Sequence, residues 1–144
     1  MKKVFAYIGF WVWSLTWGCI MTTIGLLAAL VLLITGHKPY FIGPQMYFKV
    51  GTGWGGVNFG PVAIVCSNAS SHTEFHEAGH GLQNLIWGPL MPFVICIPSA
   101  VRYWYRIIIR RKDIKRYRDL PDYDDIWFEG QASAWGKAVY DTND

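Results

Sequence analysis

Charge is scarce in this chain. Of 144 residues only 16% are Asp, Glu, Lys or Arg while 52% are hydrophobic, whereas a soluble globular domain ordinarily carries about a quarter charged residues. A bilayer is therefore the first expected environment, around a chain that by length is a single domain. Cysteine is equally sparse. Cys19, Cys66 and Cys96 are scattered with no C-x-x-C pair, which argues against a thiolate zinc site and against a secreted disulfide framework and leaves them as small buried apolar residues. No internal repeat or low-complexity segment is present. Glutamate is as rare, with only Glu74, Glu77 and Glu129 in the whole chain.

What the chain has in quantity is apolar and aromatic sequence. From Val4 to Ile34 run 31 residues without a charge, VFAYIGFWVWSLTWGCIMTTIGLLAALVLLI, between Lys2-Lys3 and His37-Lys38-Pro39. A secretory signal needs an apolar core of about 7–15 residues and a small-residue cleavage site, and neither is present. Residues 4–34 therefore read as a transmembrane segment. As one helix the run measures about 46 Å against a hydrocarbon core of about 30 Å. The favoured reading is a single long helix with its aromatic half in the interface; the other is a tight hairpin. Gly25 and Ala29 form a small-x-x-x-small pair suited to seating another helix. Aromatics make up 17%, and the eight tryptophans cluster near the ends of apolar runs, as interfacial belts do.

Net charge is +3, but eight of the thirteen basic residues lie between Arg102 and Arg118. This ramp abuts an apolar run, so contact with anionic lipid on the cytoplasmic side is expected in preference to nucleic acid. The run before it, GPLMPFVICIPSAV, contains Pro89, Pro92 and Pro98 and reads as a broken, membrane-dipping connection over residues 88–101. The ramp itself reads as a helix to about Arg118.

Between Pro39 and Ser71 short apolar pieces alternate with glycine, which suits a small antiparallel sheet, with a hairpin between Met46–Val50 and Val57–Cys66. Gly51, Gly53 and Gly56 satisfy G-x-G-x-x-G, but no helix follows, so the dinucleotide reading falls. SSHTEFHEAGHGLQNLIW then reads as a helix, with Ser71 and Glu74 at capping-box spacing and Phe75, Ala78, Leu82, Leu85 and Ile86 on one packed face. A last helix, roughly Asp125 to Tyr140, carries the stripe Phe128, Ala132, Trp135 and Val139.

His76-Glu77-x-x-His80 is the motif that carries chemistry. On a helix the imidazoles of residues i and i+4 point the same way and can share one ion, while Glu77 lies about 100° round, near a water on that ion. Zinc takes such nitrogen and oxygen ligands in a tetrahedron with one position left for water; a carboxylate beside that water can take its proton and pass it on. The plain competitor is two histidines on a wet helix face. Gly79 and Gly81 weaken the helix by about 1 kcal/mol each, which makes sense where another backbone or a substrate approaches. The third ligand falls to Glu129, ahead of Asp122, Asp124 and Asp125, which suit caps, and of His72 at the helix start.

HEAGH followed by FEGQAS resembles the H-E-x-x-H and F-E-x-Q-A-D pair of membrane-associated gluzincin metallopeptidases, the group that includes the CAAX prenyl proteases. His76–Gln83, Gly88-Pro89-Leu90 and Ile97-Pro98-Ser99 also resemble small uncharacterised bacterial zincin-type membrane proteins. The resemblance spans about Val57 to Gly136. It implies one zinc per chain held by His76, His80 and Glu129, with Glu77 as general base. It implies a rim strand, Val57, Asn58, Phe59 and Gly60 included, that pairs with a substrate backbone. Ser133 stands where the pattern has Asp, so the hydrogen bond that orients a motif histidine must be weakened or come from another group. Tyr123, Tyr140 and Arg102 are candidate oxyanion donors.

The expected protein is thus α+β, with an N-terminal transmembrane segment (4–34) and a minimal zincin-like metallopeptidase domain (40–144) built from a small antiparallel sheet, the HExxH helix and the Glu129 helix. It is an integral membrane protein with a cytoplasmic-facing site that cuts peptide or protein substrates; membrane lipid is a partner and nucleic acid is not. A non-catalytic binding or assembly module of the same fold is the alternative.

Overall fold

The structure, a computed structural model, describes residues 2–140. The chain is α+β: α1 (Lys2–Thr16), α2 (Cys19–Ile34), β1 (Tyr40–Ile42), β2 (Gln45–Lys49), β3 (Gly56–Phe59), β4 (Val62–Val65), α3 (Ser71–Trp87), α4 (Ile97–Lys112), α5 (Ile114–Arg118) and α6 (Trp127–Tyr140). A 3-10 turn (Gly88–Leu90) and a π turn (Pro92–Cys96) join α3 to α4, and a second 3-10 turn (Tyr123–Asp125) precedes α6.

The uncharged run forms two helices, not one. α1 and α2 are bent by 103° at Trp17-Gly18, where Gly18 presses on the Asn84 side chain and leaves no room for a Cβ. Trp13 and Trp17 donate their indole N–H groups to Leu85 O (2.8 Å) and Ile86 O (3.2 Å), two carbonyls of the last α3 turn that have no helical partner. These tryptophans therefore hold a helix end. Among the described residues no single helix is long and apolar enough to cross a membrane, and the pair formed by Ser71–Leu90 and Pro92–Lys112 is bent by 116°. Pro89, Pro92 and Pro98 fall in the first turns of successive helical pieces, where a missing N–H costs nothing. The ramp is also divided: Asp113 ends α4 and caps α5 by accepting from Arg116 N–H (3.0 Å).

The sheet has the order β1-β2-β4-β3 and is mixed, not antiparallel. β1 and β2 are antiparallel, β2 and β4 parallel, β3 and β4 antiparallel. The expected hairpin between Met46–Val50 and Val57–Cys66 does not form, because the latter breaks at Gly60 (φ 67°) into β3 and β4. Burial explains the order: Val62, Ala63 and Val65 of β4 are fully buried, so the most apolar strand takes the centre, and the loop with Gly51, Gly53 and Gly55 at positive φ carries β3 to the edge. Gly25 and Ala29 seat this sheet and not another helix: a Cβ on Gly25 would lie 2.5 Å from Phe59 O, and Ala29 packs with Phe48 and Val62.

α3 buries a polar face. His76, Glu77, His80, Gln83 and Asn84 are buried, together with Ala78, while Ile86 of the expected apolar stripe is 56% exposed. The cap is Ser70, one residue earlier than the sequence suggested, accepting from Thr73 N–H. Glu74 instead accepts from the Tyr40 hydroxyl (2.7 Å) and pairs with Lys49. On α6 Phe128 and Ala132 are buried and Val139 is exposed. Cys19 is exposed, Cys66 buried and Cys96 half-buried, and all three are free thiols.

Candidate metal centre

α3 and α6 touch backbone to backbone. A Cβ on Gly79 would collide with the Ala132 carbonyl, and one on Gly136 with the Phe75 carbonyl, so each helix offers a glycine to the other's main chain. The close approach that Gly79 suggested is thus to α6. Gly81 has a different neighbour, the Gln45 side chain, whose amide donates to Ala78 O (2.8 Å) and ties the sheet to α3.

This contact brings Glu129, fully buried, under the two motif histidines. Glu129 Oε2 lies 3.1 Å from His76 Nε2 and 3.2 Å from His80 Nε2, and the two Nε2 atoms are 3.2 Å apart. Ligand atoms about 2.0–2.1 Å from one tetrahedral ion stand roughly 3.3 Å from each other, so the triangle matches one face of such a site. His76, His80 and Glu129 form a buried group able to hold a metal ion.

Hydrogen bonding sets the direction of the His80 lone pair. Gln83 Nε2 donates to Phe128 O (2.8 Å) and to Gln131 Oε1 (3.0 Å), which turns Gln83 Oε1 toward His80 Nδ1 at 2.8 Å. That oxygen can only accept, so Nδ1 carries the proton. Nε2 then faces the Glu129 carboxylate acceptor to acceptor, an arrangement that a shared proton or a cation relieves. Without a metal the proton supplies the relief. Burial drives the His80 imidazolium down, but the Glu129 hydrogen bond and the Glu77 and Glu129 charges outweigh it and raise its pKa. For Glu129 burial acts upward, yet the bonds to His76 and His80 hold its carboxyl well below the usual range. Glu129 Oε1 and Glu77 Oε2 are buried without a hydrogen-bond partner, acceptors that suit a cationic group or its water.

Glu77 lies between the imidazoles and β3. A Cβ on Gly56 would fall 2.6 Å from Glu77 Oε1, so glycine there makes room for the carboxylate. Burial raises the Glu77 pKa, opposed by His80 and His76, which moves a carboxyl toward the range useful for proton transfer.

A cavity of about 790 Å³ opens over this group, walled on its apolar side by Met21, Phe59, Met91, Ile95, Tyr103 and Trp104. β3 is an edge strand, and Val57, Asn58 and Phe59 line the cavity. Gly60 does not; it turns the chain against Asn84 and Thr22. Of the three oxyanion candidates only Tyr123 lines the cavity, its ring centroid 6.3 Å from that of His76. Its hydroxyl stays protonated, pushed up to about 12 mainly by burial. Tyr140 faces Gln45, and Arg102 is committed to the carbonyls of Asp122 and Tyr123. His72 is an exposed first-turn residue that reaches Asp124 (3.4 Å) and not the metal group. Asp122 and Asp125 cap their turn reciprocally.

No protein-family model, no curated protein and no solved structure matches the chain. The supporting contacts around the group escaped the sequence reading, which placed Gln83 only in the motif stretch and Asn58 only on the rim strand. Gln83, one helical turn after His80, was the legible one. Asn58, which donates to Glu77 O (2.9 Å), and Gln45 lie on strands whose pairing the sequence did not reveal.

Proposed function

We propose that the protein is a membrane-bound zinc metallopeptidase that hydrolyses peptide bonds near the membrane surface, with a minimal zincin-like core. The observation that carries this reading is the convergence of His76, His80 and Glu129 on one point, with Glu77 buried beside them and a cavity above. When bound, zinc supplies a Lewis acid that polarises a carbonyl and acidifies a water. Glu77 takes the proton of the attacking water and delivers it to the leaving amine. The Tyr123 hydroxyl donates to the oxygen on which charge develops. Residues 56–59 of β3 pair with an extended substrate backbone along the free sheet edge, and the apolar wall receives apolar side chains while excluding water.

Membrane attachment is part of the same proposal. Phe5, Leu27 and Ile34 are among many large side chains that stand more than half exposed on α1 and α2, and α4 exposes Val101 and Trp104 beside its basic end. These faces suit lipid, the basic end suits anionic headgroups on the cytoplasmic side, and the proline-broken stretch 88–101 suits a segment that dips in and returns.

The test is metal analysis and proteolysis on purified protein. About one zinc per chain and loss of peptide cleavage in Glu77→Gln, with zinc retained, are expected. Absence of zinc, or full cleavage by Glu77→Gln, overturns the reading; zinc without cleavage in the unmodified chain moves it to a non-catalytic binding or assembly module.

A further inference from the structure

We propose that Asp124 is a positioning residue for the metal centre, acting on His76 through the Ser133 hydroxyl. The proposal rests on reading His76 as a ligand. Ser133 stands where the peptidase pattern that the sequence resembles has Asp, and alone a hydroxyl is a neutral and weaker partner for that histidine than a carboxylate.

The geometry supplies the missing carboxylate. Ser133 Oγ is 2.6 Å from Asp124 Oδ2, the length of a hydroxyl donating to an ionised carboxylate. Since that carboxylate only accepts, the serine proton points to Asp124. Ser133 Oγ then meets His76 Nδ1 at 2.7 Å as an acceptor, so Nδ1 must carry the ring proton. His76 Nε2 is left with its lone pair toward Glu129 Oε2, as Gln83 leaves that of His80. Asp124 Oδ1 is 4.0 Å from His76 Nδ1, too far to bond it directly. The hydroxyl is the necessary bridge, and it carries the charge of Asp124 to the imidazole.

The turn that presents Asp124 is held on two sides. Arg102 donates to Asp122 O (2.7 Å) and Tyr123 O (3.1 Å), and Arg106 to Pro121 O (2.6 Å). On the other side, Gly130 lets α6 lie against the turn: a Cβ there would come within 2.5 Å of Asp124 O. The first two arginines of the basic ramp therefore serve the site and not a surface.

The test uses the full chain in detergent with Zn²⁺ as the probe, its affinity read by competition with a chromophoric chelator. Asp124→Asn and Ser133→Ala should each weaken binding by about 10- to 100-fold. The double variant should bind no more weakly than the poorer single, because both cut one chain of bonds. Ser133→Asp combined with Asp124→Asn should restore binding, a rescue that a merely structural role for Asp124 does not produce. A second readout needs no metal. At alkaline pH the ¹⁵N shifts of His76 should report a pure Nδ1–H tautomer in the unmodified chain and a mixture in Asp124→Asn, with His80 unchanged. The proposal is overturned if Asp124→Asn keeps both zinc affinity and tautomer, or if the rescue pair binds no better than Asp124→Asn. If the unmodified chain binds no zinc but the His76 tautomer still depends on Asp124, the metallopeptidase reading falls and the relay stands.

Discussion

Between α3 and α6 lie His76, Glu77, His80 and Glu129, all buried, while α1 and α2 turn Phe5, Ile8, Leu27 and Ile34 outward, each more than half exposed. Polarity is inside in one region and apolarity outside in the other. In the inner region the two imidazoles are fixed by partners, Gln83 for His80 and Ser133 for His76, while Glu129 faces both and its Oε1 and Glu77 Oε2 are left without a hydrogen-bond partner. A buried polar network is costly when half satisfied and specifying when complete. The outer region follows from the proposed lipid surroundings, where exposed leucine costs nothing. The same kind of change should therefore have opposite consequences in the two places.

Glycine gives the sharpest contrast. Gly79→Leu would drive a side chain into the Ala132 backbone, and a backbone, unlike a side chain, cannot rotate away. Overpacking a core costs about 1–3 kcal/mol or more; here α3 and α6 must separate, so the ligand triangle opens. The expected outcome is loss of zinc and of the cooperative thermal transition. Gly9→Leu on α1, where nothing lies within 4 Å of an added Cβ, should leave both intact. Equal damage from the two substitutions would break the distinction between the regions.

Next in size is Glu129→Gln. The amide keeps the shape and one oxygen but removes the charge that faces two imidazoles, so zinc affinity should fall by more than the roughly 100-fold upper cost of losing an outer hydrogen-bond partner. Chelator competition measures it. Circular dichroism should be unchanged, since α6 remains locked to α3 by Gly79 and Gly136.

A smaller effect concerns pH. In the metal-free protein the raised His80 pKa means that the folded state keeps a proton the unfolded chain releases near pH 6.5. Its contribution to stability is fully present below about pH 6.5 and is lost as pH rises through the higher folded value. Glu77, also raised, acts in the same direction from its ordinary value near 4.5. Glu129, held low, contributes above the ordinary carboxyl range and loses that contribution only in strong acid. Zinc demands deprotonated ligands. Thermal scans between about pH 6 and pH 8 should therefore show the metal-free Tm falling and the increment from zinc growing. A metal-free Tm that climbs across this window contradicts the His80 assignment.

The two regions also differ in how far sequence disclosed them. His76, His80 and Glu129 were legible because helical spacing is a local rule and glutamate is rare, so few residues could complete the set. The helices bearing them were legible for the same reason. Asp124 was read as a cap because its link to His76 runs through Ser133, a tertiary contact with no fixed spacing. The sheet order was hidden because Gly60 splits an apolar run that alternation alone reads as one strand. The bend at Gly18 was hidden because the side chain packed against that glycine is Asn84, far away in sequence. The polar inner face of α3 ran against hydrophobic periodicity, which assigns burial to Leu82 and Ile86 when the partners that satisfy His80 and Gln83 are unknown.

The smallest expected effect on the site, and the most direct probe of the outer region, is Leu27→Lys. Leu27 is 60% exposed on α2 and belongs to none of the buried core clusters, so in water the substitution should fall within about 0.5 kcal/mol of neutral. Zinc affinity should not change. In a bilayer the same lysine near the middle of an apolar helix costs about 2.5–3.5 kcal/mol on insertion scales, unless its stem reaches the interface. Alkaline extraction of membranes should then release more of the variant than of the unmodified chain, with zinc still bound to the released protein. Retention identical to that of the unmodified chain would mean that the outer apolar face of α2 does not meet lipid, and the contrast between an inner polar region and a lipid-covered outer one would then require a protein partner on that face.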